Sequence, residues 1–447
     1  MNEKSGRHIF KLSFSKIVFI GFALIILIGG LLLMLPFATV DGEKTTFLGA
    51  MFTSTSATCV TGLVMYDTGT HWTAFGQGVI LLLIQIGGLG FLTMISLFFI
   101  MMKHDVGLKQ RMLIMQSTGA LDMGGILPYV MRIAKGTLIF EGVGAVLLAT
   151  RFIPAFGIGK GIYYSVFHSV SAFCNAGFDL LGGFNSLTGF KSDIVVNVTI
   201  MLLIIIGGIG FIVWSDIISN KHHFSKYRLH TKIVLVTSAV LVFGGAVLYY
   251  IFERNASLGN LSEGEKVLAS FFQSVTMRTA GFNTIDLAQL SKSGSLLCCF
   301  LMFVGGSPGS TAGGLKTTTL AILFLAAVAS ARRKKDVTVF KRKLDQNDVL
   351  TATSVGVLYI TIIFIITMII AAVDDISLRK LVFEVVSAEN TVGVTMGITR
   401  DLSAISQTLI MALMFIGRIG GFTLALLFLE GTNPPPKSRP TEKMLVG

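Results

Sequence analysis

Long apolar runs alternate with short, half-apolar segments along the whole chain. Phe19 to Leu35, Val79 to Met102, Ile194 to Val213, Ile233 to Ile251 and Val355 to Val373 are such runs. Each approaches the roughly 20 residues a helix needs to cross a bilayer. The segments between them hold about 10 to 14 apolar residues, the length of a re-entrant helix. This pattern predicts an all-α, multispanning membrane protein, since an outer-membrane barrel would show short alternating strands. The first run follows a basic start, is too long for a signal-peptide core, and meets no small-residue cleavage site at Leu35-Pro36-Phe37. It is expected to be a retained span.

The short segments repeat. Phe52 to Leu63 (FTSTSATCVTGL), Phe167 to Phe178 (FHSVSAFCNAGF), Phe271 to Phe282 (FFQSVTMRTAGF) and Phe383 to Val394 (FEVVSAENTVGV) align without gaps. Each begins with Phe, carries Ser-Ala or an analogue in the middle, and ends in Gly plus an apolar residue. Those glycines are Gly62, Gly177, Gly281 and Gly393, separated by 115, 104 and 112 residues. A second glycine cluster follows each, beginning at Gly87, Gly207, Gly305 and Gly417, after 25, 30, 24 and 24 residues. Two independent markers in the same phase four times define four tandem units. They are expected over 16–103, 128–220, 230–333 and 347–430, with cytoplasmic ends at 1–15 and 431–447. Each unit reads as a span, a re-entrant segment and a second span, the four set in pseudo-fourfold arrangement around one pore.

Composition agrees: 53% of residues are hydrophobic, 13% are charged, and mean hydropathy is +0.77, against about 25% charged in soluble domains. The net charge of +12 would raise the question of nucleic acid in a soluble chain, but its distribution answers it. With eight spans and the N-terminus inside, Lys and Arg number 23 inside, 10 outside and 3 within the membrane. Asp and Glu number 9, 12 and 3. The basic segments Lys103 to Arg111, Lys221 to Lys232 and Arg332 to Lys343 all fall inside, as the positive-inside rule requires, so no nucleic-acid partner is expected. Cys59, Cys174, Cys298 and Cys299 sit in apolar or loop contexts with no disulfide or metal-ligand spacing.

Irregular backbone at membrane depth survives only where protein buries it or water lines it. Four such loops around an axis could offer carbonyl oxygens in place of a cation's water shell. Turning carbonyls inward needs conformations a Cβ disfavours, which glycine supplies. The preceding short helices would aim their negative ends at the ion. One such glycine would read as helix packing; four in register read as an ion filter.

The third unit's second span contains Gly305 to Gly314 (GGSPGSTAGG), which with Pro308 is too rich in small residues to stay helical. It is read as a gate in the permeation path, with a passive kink as the other reading. GGLGF and GGIGF in the first two units are read as helix contacts or bends. Gly309 to Thr317 resembles a phosphate loop, but Leu315 stands where Lys is required and no strand precedes it. Arg418 is read either as a barrier below the filter or as a paired structural cation. Lys316 is read as an anchor of the loop to a carboxylate or to carbonyl groups, and Arg278 and Glu384 as a mutual structural pair or as contacts of the ion. His168, a lone histidine near a filter segment, is read as a packing or hydrogen-bonded group.

At these residues the chain resembles the Trk/Ktr/HKT superfamily of potassium uptake proteins, most of all the bacterial Ktr branch. The most specific pieces are TMRTAGFN (Thr276 to Asn283), SAFCNAGF (Ser171 to Phe178), QIGGLGF (Gln85 to Phe91), GGSPGSTAGGLKT (Gly305 to Thr317) and MFIGRIG (Met414 to Gly420). The resemblance implies a selectivity filter at Val60-Thr61-Gly62, Asn175-Ala176-Gly177, Thr279-Ala280-Gly281 and Thr391-Val392-Gly393. Glycine in all four favours potassium, and serine at the position of Gly62 goes with sodium. It also implies a gate of Gly305, Gly306, Ser307, Pro308, Gly309, Ser310, Thr311, Ala312, Gly313 and Gly314 with Lys316 and Arg418. A homodimer on a cytosolic ring of nucleotide-binding regulatory subunits is implied too. The ion is potassium, with sodium left open, and no other cofactor is expected. The fourth filter segment departs from the pattern in Glu389 and Asn390, which would put a carboxylate near the filter entrance. A symporter with alternating access is the competing reading, although transporter repeats are usually two and often inverted. An intramembrane enzyme would need a nucleophile and base or a metal cluster, and none converges in the sequence.

Overall fold

The computed structural model describes residues 13–41, 43–102, 111–112, 114–115, 125–221, 223–334 and 336–420. The ends at 1–12 and 421–447, and most of the basic segment Lys103 to Arg111, lie outside the described residues.

Each unit opens with a long apolar helix: α1 (Phe14–Leu33), α5 (Ile126–Phe156), α9 (Leu229–Glu253) and α13 (Gln346–Val373). Their outer faces expose Leu138, Val146, Val240, Phe243, Val357 and Phe364, which hydrocarbon covers at no cost because all backbone groups bond within the helix. A short helix follows each one: α2 (Phe47–Cys59), α6 (Ile158–Phe173), α10 (Glu263–Thr276) and α14 (Leu378–Glu389). At 12 to 16 residues these stop short of a bilayer crossing and lie buried inside the ring. Residues 52–59 of α2, for example, are all buried.

The second spans begin alike. Side chains of Thr73, Asp193, Ser291 and Ser403 cap the first turns of α3 (Ala74–Leu89), α7 (Ile194–Gly208), α11 (Lys292–Phe303) and α15 (Ala404–Ile419), accepting N–H groups that have no helical partner. The first three then break at the glycine clusters, and the fourth is described to Gly420, where the helix ends. α3 turns 96° into α4 (Phe91–Met101), and α7 turns 95° into α8 (Phe211–Asn220), at Gly90 and Gly210 with φ of +82° and +98°. α11 gives way to a loop before α12 (Thr317–Ala331). By length and apolarity, four described helices can cross a membrane, or up to six if each bent pair is one span. The expected count of eight arises from counting all four interrupted second spans, of which the third is split by its loop and the fourth is described only to Gly420. The GGLGF and GGIGF clusters are thus bends, as expected from their glycines. A small antiparallel hairpin, Thr338–Val339 with Arg342–Lys343, adjoins the linker to the fourth unit.

The core closes the ring. One cluster joins Ile84 and Phe167 to Phe272 of the third unit. A second joins Leu301 to Phe383 and Val392. A third joins Ile370 and Ala388 of the fourth unit to Phe52 and Cys59 of the first. The fold is therefore all-α, with four tandem helix, re-entrant loop, helix units around one axis.

Candidate ion pore

One to three residues beyond each short helix stands a residue with left-handed backbone: Val60, Asn175, Thr279 and Thr391 have φ of +57°, +58°, +70° and +51°. The next N–H turns back into the helix end, from Thr61 to Ser56, Ala176 to Ser171, Ala280 to Thr276 and Val392 to Ser387, at 2.8 to 2.9 Å. A hydroxyl then straps each loop. Ser56 and Ser387 accept the Gly62 and Gly393 N–H at 3.0 and 3.1 Å. Ser171 and Thr276 donate to the carbonyls of Phe178 and Phe282 at 2.7 and 2.5 Å. That is the work of the Ser-Ala position in the repeat.

The four glycines follow at φ of +100°, +70°, +83° and +90°. A Cβ at Gly62 would stand 2.6 Å from the Ala176 carbonyl oxygen, and one at Gly177 would stand 2.9 Å from that of Ala280. One at Gly281 would stand 2.9 Å from the Val392 oxygen, and one at Gly393 would strike the Thr61 oxygen. The contacts run from unit one to two, three, four and back to one. A narrow ring of backbone results, with room for neither side chain nor helix between neighbours.

All four glycines line a single cavity of about 190 Å³ on the outer side. Asp67, Asp179, Asp286 and Arg400 share its wall, and sequence reasoning missed them. A signal was present: Asp67 and Asp286 each stand five residues after their filter glycine. Asp67 accepts the Gly69 and Thr70 N–H at 3.0 Å and the Phe184 N–H at 2.8 Å, tying the first mouth loop to the second. Arg400 lies over the Phe184 ring, 4.1 Å from its centre. In the loop outside the spans, burial pushes the Asp179 carboxyl up to about 7; the Leu181 N–H opposes this and the charge of Asp67 adds to it.

On the inner side, residues 305–314 form a closed loop. Val304 and Leu315 pair in parallel, and the Gly305 N–H donates to Leu315 O at 2.8 Å. The loop's other bonds reach the remaining units. Ser307 and Thr311 N–H donate to Gly208 and Gly207 O (2.9 and 3.2 Å), and Gly309 O accepts the Phe211 N–H (2.8 Å). The Gly314 N–H donates to Gly417 O (3.3 Å), and Asn390 Oδ1 accepts the Leu315 N–H (3.1 Å). Pro308 O lies 2.7 Å from where a Gly210 Cβ would stand, and Ser310 Oγ closes a turn on Ser307 O at 2.6 Å. Gly87, Gly207 and Gly417, in the last turns of α3, α7 and α15, have no room for a Cβ, which would strike the Thr58, Phe173 and Glu389 carbonyl oxygens at the short-helix ends.

Two cations join this knot. Lys316 Nζ donates to Ala312 and Gly313 O at 2.8 and 3.2 Å. Arg418 donates to Thr311 O, to Gly87 O and, at 3.1 Å, to Gly88 O. Neither has a carboxylate partner among the described residues, so Lys316 anchors the loop through carbonyls. The structure corrects two expectations. Arg278 donates to Ser238 Oγ at 3.1 Å while Glu384 accepts from Thr395 and Thr399, so they do not pair; each finds hydroxyl partners within its own unit. Glu389 and Asn390 lie at the inner end of α14, not at the filter entrance, because the short helices run inward and the chain passes the filter on its way out. Both Glu389 oxygens are buried and without hydrogen-bond partners among the described residues. His168 is bonded as expected, with Nδ1 2.7 Å from Tyr164 O.

Comparison with known proteins agrees with this architecture. The chain is 41% identical to the potassium/sodium uptake protein NtpJ of Enterococcus hirae, over 98% of both chains. It is 38% identical to the Ktr system potassium uptake protein B of Bacillus subtilis, over 93% of both. The crystal structure of the potassium transporter TrkH from Vibrio parahaemolyticus superposes with a TM-score of 0.73 over 94% of this chain and 86% of that one, at 20% identity, which shows the shared fold. The sequence profile of the TrkH family, cation transport proteins, matches residues 17–433. The chain is a multispanning membrane protein and belongs to the TrkH family of cation transport proteins.

Proposed function

We propose that this chain is the pore-forming membrane subunit of a Ktr-type potassium uptake system. The observation that carries the reading is the cyclic contact of Gly62, Gly177, Gly281 and Gly393 with the carbonyls of Ala176, Ala280, Val392 and Thr61. Potassium gathers at the acidic outer mouth, sheds water to the carbonyl ring and meets the 305–314 loop below. The loop, Lys316 and Arg418 form the gate: two positive groups and a knot of main-chain bonds beneath the filter oppose a cation until the loop moves. One continuous ring closed by all four units favours a gated pore over alternating access. Sodium is a further permeant or stimulating ion, in keeping with the name of the Enterococcus relative. The chain sits in the cell membrane with both ends cytoplasmic, works as a homodimer, and docks through its basic inner segments on a ring of nucleotide-binding regulatory subunits. It needs no cofactor beyond the ion.

Isotope flux into proteoliposomes under imposed potassium and sodium gradients tests the reading. Potassium-selective flux is expected; electroneutral exchange that saturates without a conductive component would reject a pore. Arg418→Gln removes a charge and the bonds to Thr311, Gly87 and Gly88, so flux should rise about tenfold. Arg418→Lys keeps the charge but loses the two-sided fork and should give a smaller rise. Unchanged flux in a properly inserted Arg418→Gln protein would count against the gate.

The Asp179 carboxyl predicts a pH effect. It is charged above about 7 and neutral below, so it attracts cations only on the alkaline side. Apparent potassium affinity should be weaker at about pH 6 than at about pH 8, and Asp179→Asn should erase the difference. A pH dependence that survives in Asp179→Asn would assign it elsewhere.

A further inference from the structure

The inner end of the second unit holds a cavity of about 350 Å³ that the pore does not use. Its walls come from the start of α5, the length of α8 from Ile212 to Asn220 and the turn leading into α9. Three cations face it, Arg132, Lys226 and Arg228, and none of them is in a salt bridge among the described residues. The wall's carboxylate, Asp216, is already engaged by the Arg228 N–H at 2.9 Å and the Asn220 amide at 2.8 Å. The Arg228 charge also acts on this carboxylate, which leaves one carboxylate against three cations in the wall.

A second observation points to an anionic occupant. The Tyr129 hydroxyl in this wall is buried without a hydrogen-bond partner, and Arg132 and Arg228 both lie close enough to act on it electrostatically. Ser215 and Ser219, one turn apart on α8, add two hydroxyls to the same wall. Fork-shaped guanidinium donors, an ammonium and hydroxyls around a small cavity suit a phosphate group. The location fits a membrane surface. α8 turns 95° from α7, so it runs along the inner face rather than through the bilayer. Beside it Ile218, 75% exposed, and Phe224 offer apolar surface at the same level.

We propose that this cavity binds a phosphate group at the inner membrane surface, borne by an anionic lipid headgroup or by a free phosphate. The site is wired to the intramembrane loop. The Phe211 N–H at the start of α8 donates to Gly309 O, and Ser307 donates to Gly208 just before the bend. A phosphate held at Ser215 and Ser219 thus grips the other end of the ten-residue helix that carries the loop.

The test uses the full chain and reads binding, so its failure is distinct from failure of the pore reading. The protein is purified from vesicles of phosphatidylcholine with and without phosphatidylglycerol, and retained lipid is measured by native mass spectrometry, with and without inorganic phosphate. Retention of phosphatidylglycerol over phosphatidylcholine is expected. It should fall about fivefold for each of Arg132→Gln, Lys226→Gln and Arg228→Gln, and also in Tyr129→Phe, which removes only a hydroxyl and should fold normally. Displacement by inorganic phosphate makes free phosphate the ligand; retention that resists it makes the headgroup the ligand. Lys221→Gln, on the same face but outside the wall, should change nothing. Equal loss in Lys221→Gln, or no loss in the wall variants together with no phosphate binding, overturns the proposal.

Discussion

Gly62→Ser and Gly281→Ser proteins should insert normally yet lose at least about tenfold of their preference for potassium over sodium, about 1.4 kcal/mol in the balance between the ions. Both positions hold φ near or above +80°, where a side chain is strained. Their new Cβ atoms would press within 3 Å of the next unit's backbone, so the ring must widen. A wider ring fits potassium's oxygens less well and holds a smaller, more hydrated ion with less penalty. The effect should be largest for Gly393→Ser, whose Cβ falls on the Thr61 oxygen itself. Folding should survive, because the lipid-facing helices and most of each core cluster, such as Ile84, Phe272, Leu301 and Ile370, lie away from the four glycines. Uptake by potassium-starved cells and flux in vesicles measure the ratio; wild-type preference in both mutants would remove these glycines from the filter.

Deleting Gly309 to Gly313 should raise flux several-fold, to about tenfold, with selectivity kept. The deletion is geometrically mild, since Gly305 and Leu315 are already bonded at 2.8 Å and the cut closes a loop whose ends meet. It removes the carbonyls that hold Lys316 and one of those that hold Arg418, and it unties α8 at Gly309. None of the filter straps involves these residues, so the ring stays. Unchanged or smaller current from an inserted deletion protein would make the loop a structural brace instead.

The local chemistry of the pore was legible because it is carried by residue types that few other demands explain. Glycine at a fixed distance from a short amphipathic segment, four times over, leaves little besides inward-turned backbone. The break at Pro308 follows from the same reasoning. Less legible were features that depend on what lies opposite. Arg278 and Glu384 looked like a pair because both are charged and membrane-embedded, but their partners are hydroxyls on other elements. Glu389 looked like an entrance residue because sequence order does not say which way a re-entrant helix points. The mouth acids stood in loops where only Asp67 and Asp286 share a spacing from their filter glycines, and their convergence is what makes them a site.

The chain's own order of residues determined that it spans a membrane, that it does so in four like units, and where each unit's backbone must leave the helix, since apolar run length and glycine placement act locally. Tertiary structure alone decided what those breaks touch: which carbonyls close into a ring, which glycine ends receive Arg418 and the loop, and which cations are left facing an open cavity. Those outcomes rest on contacts between residues as much as 331 positions apart, and partners so remote are chosen by the packing of whole helices rather than by any local preference.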